Sequence, residues 1–275
     1  MKRREFLKTS VTVSALAGVG TVDLNAASEA GGAMNREYYE LRHYRFKSGA
    51  SRELLDNYLQ KAAIPALNRL GVSSVGAFVQ QERSGSATGT EVRDPASVFV
   101  LIPYPSLASF AIATTRLNQD SEYQQAGSEY LQTPVANPAF ERIDSWLMLA
   151  FAGMPKIELP SYSREKKPRM FELRTYESYS EVKALKKVEM FNSGEIDTMR
   201  EVGLAPVFYG QALVGPNLPH LTYMLSAEDQ EAHKKHWDGF GKHPVWNKLK
   251  NDPQYADTVS KIYNRFLVPT PYSQI

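Results

Sequence analysis

Not one cysteine occurs in the 275 residues. That excludes disulfides, thiolate nucleophiles, iron–sulfur clusters, Cys-based zinc sites and the lipidated cysteine of a bacterial lipoprotein. It fits an oxidising compartment, where a free thiol is a liability. No stretch reaches the roughly 18 consecutive apolar residues of a spanning helix, so no membrane span is expected. No Gly-x-Ser-x-Gly elbow is present, and neither "GVGTV" nor "SGSATGT" leads into the Lys-bearing helix start of a phosphate-binding loop. The formal net charge is only +2. Residues 1–27 carry Lys2, Arg3, Arg4 and Lys8 against Glu5 and Asp23, so that small excess belongs to the N-terminus. The remainder is balanced and offers no electrostatic footprint for nucleic acid or an anionic membrane.

The N-terminus has a layout of its own. "MKRREFLKTSVTVSALAGVG" runs from a basic segment through a mildly apolar stretch, Val11 to Gly20, to small residues at Ala26 and Ala27. This is the three-part plan of a cleaved export signal. Arg3-Arg4 followed by Glu5, Phe6, Leu7 and Lys8 resembles the twin-arginine signal, with Lys2 where that pattern prefers Ser or Thr. Residues 1–33 are therefore read as a leader, cleaved between Ala26 and Ala33, and the protein as exported to the periplasm.

The rest of the chain, with 43% hydrophobic and 23% charged residues overall, can build real cores. "YELRHY" at 39–44 reads as a strand, which sends Glu40, Arg42 and Tyr44 to one face and Tyr39, Leu41 and His43 to the other. Nearly the same string, "FELRTY", returns at 171–176. With Glu40 set on Glu172 the offset is 132 residues, and without a gap Tyr44 meets Tyr176, Ile64 meets Ile196, Leu67 meets Met199 and Gly71 meets Gly203. A register held over some thirty residues marks a tandem duplication of two large units.

Each half reads as β-α-β-β-α-β. In the first, a helix over 51–70 follows the strand, with Pro65 predicting a kink and Gly71 a C-terminal stop. Strands follow at 74–81 and 97–104 around an exposed, mobile polar loop, "ERSGSATGTEVRDPA". A helix from Ser106 to Gln119 and a strand at 141–151 close the unit. The second half repeats the order from "FELRTYES" to "SKIYNRFLV". The expected units are 34–152 and 169–275, joined by a Pro- and charge-rich linker, 153–168. The fold class is α+β: two tandem ferredoxin-like units packed sheet to sheet. If Tyr39 and Leu41 face the helices, the rows Glu40, Arg42, Tyr44 and Glu172, Arg174, Tyr176 meet in the inter-sheet space.

The strand motif, the repeat and the tail elements Trp237, Phe240, His243-Pro244, Trp246 and "LVPTPYS" resemble the NIPSNAP family of the dimeric α+β barrel superfamily. The resemblance spans about 37–275 and is denser in the second half. It implies the barrel fold but no settled reaction.

Two readings of the charged rows stand side by side. Glu40, Arg42, Tyr44, Glu172, Arg174 and Tyr176 could line a cavity where the arginines receive an anionic or carbonyl group. They could equally form an ion-pair lattice that registers the halves. His233 and His236, three apart on a helix with Asp229 one turn earlier, are the residues a metal or haem would use, but "HKKHW" lacks the His-Glu-x-x-His signature. The functional expectation is binding of a small organic molecule or a protein partner at the inter-sheet cavity, without a cofactor. The alternatives are a cofactor-free oxygenase or isomerase in which Tyr44, His43 or Tyr176 moves a proton, and a haem or metal protein. The chain is expected to act as a monomeric pseudo-dimer or a homo-oligomer.

Overall fold

The computed structural model describes residues 35–46, 52–81, 89–93 and 97–275. The expected export signal and most of the polar loop after Gln81 lie outside the described residues. In the first half, β1 (Tyr38–Arg45) leads to α1 (Glu53–Tyr58), a π-helical turn (Leu59–Ala63) and α2 (Ile64–Arg69). Strands β2 (Gly76–Gln80), β3 (Thr90–Glu91) and β4 (Ser97–Tyr104) follow. Then come α3 (Leu107–Gln119), α4 (Ser121–Ala126), α5 (Ser128–Leu131) and β5 (Arg142–Ala150). The connecting segment holds one short helix, α6 (Ser161–Arg164).

The second half runs through β6 (Met170–Glu177), α7 (Glu181–Met190), a π-helical turn (Phe191–Glu195) and α8 (Ile196–Glu201). It continues with β7 (Ala205–Val214), β8 (His220–Ala227), α9 (Gln230–Lys242), α10 (Pro244–Lys250) and β9 (Lys261–Pro269). The first strand and the π-helical turn of each half sit at the same 132-residue offset. The kink expected at Pro65 takes the form of that π-helical turn. It recurs where the second half has no proline, around Gly194 at φ 126°, so the break belongs to the position rather than to Pro65 alone. Gly71 and Gly203 close the two helices at φ 81° and 88°, a conformation that favours glycine.

Eight strands pair in the order β2-β4-β1-β5-β7-β8-β6-β9, and β9 returns to β2, so the sheet closes on itself. The short β3 adds to the outside of β9 in parallel. Closure leaves those eight strands without a free edge. Within each half the fourth strand lies beside the first, then the third, then the second. After β9 the chain runs alongside the first half: Ala77 donates to Ser273 Oγ at 3.0 Å, and Tyr272 Oη donates to Asp56 at 2.6 Å.

Three apolar clusters decide which face of each strand is inside. Tyr39, Leu41, Phe78, Phe99, Leu101, Phe171, Leu173, Phe208, Met224, Leu267 and Ile275, drawn from both halves, fill the barrel. A second cluster holds Tyr44 and Tyr104 against Leu55, Tyr58, Leu59 and Leu67 of the first helices. A third holds Tyr176, Tyr209 and Tyr223 against Phe191, Met199 and Phe240. The expected facing is therefore reversed. Tyr39 and Leu41 point into the barrel, while Glu40, Arg42, Tyr44 and Glu172, Arg174, Tyr176 lie between sheet and helices, one row in each half. Most of the barrel interior is lined by phenylalanine, leucine and methionine, which cannot solvate a charge, and its polar residues, Thr175, Glu177, His220 and Arg265 among them, gather at one end. The helical layers supply the polar groups that can.

Candidate functional site

On one face of a strand, residues i and i+2 stand side by side, so a Glu-x-Arg sequence can pair with itself. In β1, Glu40 accepts from Arg42 Nε at 2.7 Å and Nη2 at 3.0 Å, from Ser145 at 3.0 Å and from Tyr104 Oη at 3.2 Å. In β6, Glu172 accepts from Arg174, from Trp237 Nε1 at 2.9 Å and from Asn264 Nδ2 at 3.3 Å, and His233 Nε2 lies 2.9 Å from its second oxygen. Ser145 and Asn264 hold corresponding places, directly opposite the arginine on the neighbouring strand. Arg174 Nη2 donates to Tyr176 Oη at 3.2 Å, which shares a 2.8 Å hydrogen bond with Tyr223 Oη. The guanidinium also lies 4.8 Å from the Trp237 ring centre. Burial pushes the Glu172 carboxyl up, but the Arg174 charge and the His233 contact outweigh it and hold the group at about 2.

The two rows differ in cover. Arg174 is 1% exposed, whereas the Arg42 side chain is 26% exposed. His233 reaches inward to Glu172, while the His236 ring packs on the positive-φ Gly203. The two histidines thus engage different elements, and among the described residues no group of three metal-ligating side chains converges.

His43, on the opposite face of β1, stacks on Phe99 at 4.2 Å. Burial, with Arg265 and Arg45 nearby, pushes its imidazole down to about 3. The unfolded chain then takes up a proton near pH 6.5 that the folded chain refuses until about pH 3. Stability is full above the unfolded value and falls as the pH drops between the two. Between pH 7 and pH 5 we expect a loss of about 1–2 kcal/mol from this residue. The check is urea unfolding at both values, with His43→Phe flattening the difference. An undiminished pH slope in that variant would rule the assignment out.

Two cavities bear on these side chains. At one end of the barrel a space of about 290 Å³ is walled by Leu41, Phe99, Trp146, Leu173, Thr175 and His220, among others. The sequence placed the Glu/Arg rows around an inter-sheet cavity, and those rows do not line this one. The second, about 570 Å³, is a cleft between β6, β9 and the helices of the second half. Trp237, Phe240, Trp246, Val259 and Ile262 form its apolar walls, and Tyr176, Lys187 and Glu195 its polar floor. Of the sequence candidates, only Tyr176 reaches it.

Lys187 on α7 donates to Glu195 Oε2 at 2.8 Å, and the two side chains are 5% and 1% exposed. The ammonium lies 4.7 Å from the Phe191 ring centre and 5.5 Å from that of Trp246. Burial pushes the Glu195 carboxyl up, opposed in part by the lysine charge. Sequence reading passed over this pair because a lysine on an amphipathic helix normally faces water. A signal existed at the 132-residue offset, where the first half has Leu55 and Ala63, both buried. Around that place aromatic rings pack on one another, with Phe140 against Tyr44 at 5.9 Å and Tyr130 stacked on Tyr58 at 3.8 Å, and a separate cavity of about 700 Å³ lies beside Tyr130 and Phe140.

The family model described as NIPSNAP matches residues 171–274, the half that carries this cleft. No curated protein matches the chain. Among solved structures, a provisionally assigned monooxygenase from Lactobacillus acidophilus is similar at 9% identity and TM-score 0.52, over 85% of this chain and 94% of that one. Another from Fusobacterium nucleatum gives 9% identity and TM-score 0.51, over 86% and 93%. An uncharacterised NIPSNAP-like domain protein from Burkholderia xenovorans is 20% identical, with 38% of this chain and 88% of that one covered and a TM-score of 0.34. At these identities the first two show the shared fold alone.

Proposed function

We propose that this chain binds one small, ring-bearing organic molecule in the cleft of its second half. A carbonyl or hydroxyl oxygen of the ligand would accept from Lys187 Nζ and Tyr176 Oη, and its apolar body would lie against Trp237 and Trp246. One observation carries the reading. A buried ion pair stands where the other half of the same chain keeps Leu55 and Ala63. A buried pair adds little or nothing to stability over apolar residues of similar volume, so its presence at one of two corresponding positions points to a ligand rather than to the fold. The Glu/Arg rows recur in both halves and serve the fold.

The test is isothermal titration calorimetry with 2-naphthol, a flat hydroxyl compound with no carbonyl. We expect one site per chain, since the first half has Leu55 and Ala63 where Lys187 and Glu195 stand in the second. The double variant Lys187→Leu, Glu195→Ala should weaken binding about 10- to 100-fold, the worth of one hydrogen bond to a charged group. Unchanged affinity in that variant would place the ligand elsewhere, with the barrel-end cavity beside Trp146 the next location to probe.

A cofactor-free oxygenase or isomerase is the second reading. It is favoured by Glu195, a buried carboxyl with a raised proton affinity at the floor of the cleft, which suits proton abstraction. The strand order and the repeated π-helical turn support reading the halves as tandem ferredoxin-like units, 34–152 and 169–275. Because one chain closes the barrel, we read it as a monomeric pseudo-dimer. Export rests on the twin-arginine-like N-terminus.

A further inference from the structure

We propose that Lys187 captures aldehydes or ketones of the cleft's ligand class as a covalent imine, with Glu195 as the proton carrier. The proposal rests on the reading of the cleft as a ligand site and adds a chemical step to it.

The primary amine stands on the floor of an apolar cleft, 5% exposed, with a carboxylate oxygen 2.8 Å away. Its other close polar contact is Met190 Sδ at 3.3 Å, a weak acceptor. Lys242 also borders the cleft, but as an exposed residue, and two lysines near Lys187 on α7 are engaged differently. Lys183 donates to the Ala256 carbonyl and Lys186 pairs with Glu189, both in exposed contacts. Only a deprotonated amine attacks a carbonyl, and in a dry site the proton has to go to a neighbour rather than to water. Glu195 is within one hydrogen bond, and burial raises its affinity for that proton.

Lys187 gives one proton to Glu195, and the free amine adds to the carbonyl carbon. A proton moves from nitrogen to oxygen to give a carbinolamine, and Glu195 returns its proton to the departing hydroxyl. The products are water, a carboxylate and a protonated imine. No electrons leave or enter. The protonated imine keeps the positive charge at the nitrogen, so the rings of Phe191, Trp246 and Tyr176 and the Glu195 carboxylate that hold the ammonium hold the product as well. The barrier falls on the transient neutral amine, where the carboxyl assists. The walls formed by Trp237, Phe240 and Trp246 suit an aromatic carbonyl compound.

The experiment uses the full chain with 2-naphthaldehyde and cyanoborohydride, which reduces the imine to a stable amine, followed by intact mass and peptide mapping. We expect Lys187 to be modified at least 10-fold faster than Lys183 or Lys186. Excess 2-naphthol should protect it, and Glu195→Gln should slow modification at Lys187 at least 10-fold without changing the exposed lysines. If 2-naphthol binds in the cleft but Lys187 is modified no faster than Lys186, the imine is overturned and the binding site stands. If 2-naphthol does not bind and Lys187 is not selectively modified, both fall. Because the decisive comparison is made within the unmutated protein, a poorly folding variant cannot obscure it.

Discussion

Arg174→Ala is expected to cost about 3–5 kcal/mol of folding stability, and Arg42→Ala no more than about 1 kcal/mol. Both arginines pair with a glutamate two residues earlier on the same strand face. The difference lies in what surrounds them. Arg174 is sealed under Trp237 with its partner 1% exposed, so its removal strands the Glu172 carboxylate in a medium that cannot solvate it. The Arg42 side chain is 26% exposed, so its removal opens a path by which water can reach the Glu40 carboxylate, itself 8% exposed. Guanidinium unfolding of the two variants measures the contrast, and equal losses would sink the burial argument. The same network sets an acid limit. Glu172 ionises at about 2 in the folded chain, below the ordinary 4.5. Its contribution is therefore complete above about 4.5 and disappears as the pH falls through 2. Arg174→Ala should lose that acid transition, whereas Arg42→Ala should keep it.

The second large effect is non-additivity between single and double substitutions. Lys187→Leu alone, or Glu195→Ala alone, should destabilise by about 3–5 kcal/mol because each leaves its partner buried and unpaired. Made together, the two changes install the side chains that the first half carries at Leu55 and Ala63 and remove both charges at once, so we expect the double variant to lose less stability than either single one, the residual loss being the cavity left by the shorter alanine. The coupling between the sites should then amount to several kcal/mol in a double-mutant cycle, well beyond the usual range for neighbours. Additive losses would mean that the pair holds up the α7–α8 region for its own sake, and the functional reading of the cleft would lose its foundation. On the proposed roles, the same double variant should remain folded while it binds 2-naphthol about 10- to 100-fold more weakly and forms no imine at position 187. That combination separates a functional pair from a structural one.

The eight barrel strands and the first helical region of each half were legible in the residues, because strand alternation, helical spacing and terminal glycines are local signals, whereas α4, α5, α6 and the two-residue β3 were not, being too short to show a period. The 132-residue offset was legible too, and it extends beyond the strands to the π-helical turns at Leu59–Ala63 and Phe191–Glu195. Period-two alternation also determined that Glu40, Arg42 and Tyr44 travel together, as do Glu172, Arg174 and Tyr176. It could not determine which face turns inward. Parity groups residues without orienting them. Orientation was decided by groups far along the chain, with His233, Trp237 and Asn264 meeting Glu172, and Phe78, Phe208 and Met224 filling the barrel against Leu41 and Leu173. The cleft likewise needed tertiary structure. Lys187 and Glu195 are eight residues apart on an interrupted helix, and only the packing of α9, α10 and β9 over them turns a lysine that should face water into the floor of an apolar pocket. Local sequence specified the elements and the sets of side chains they carry. Which set meets charge and which meets oil was settled by contacts that form only when the eight strands close.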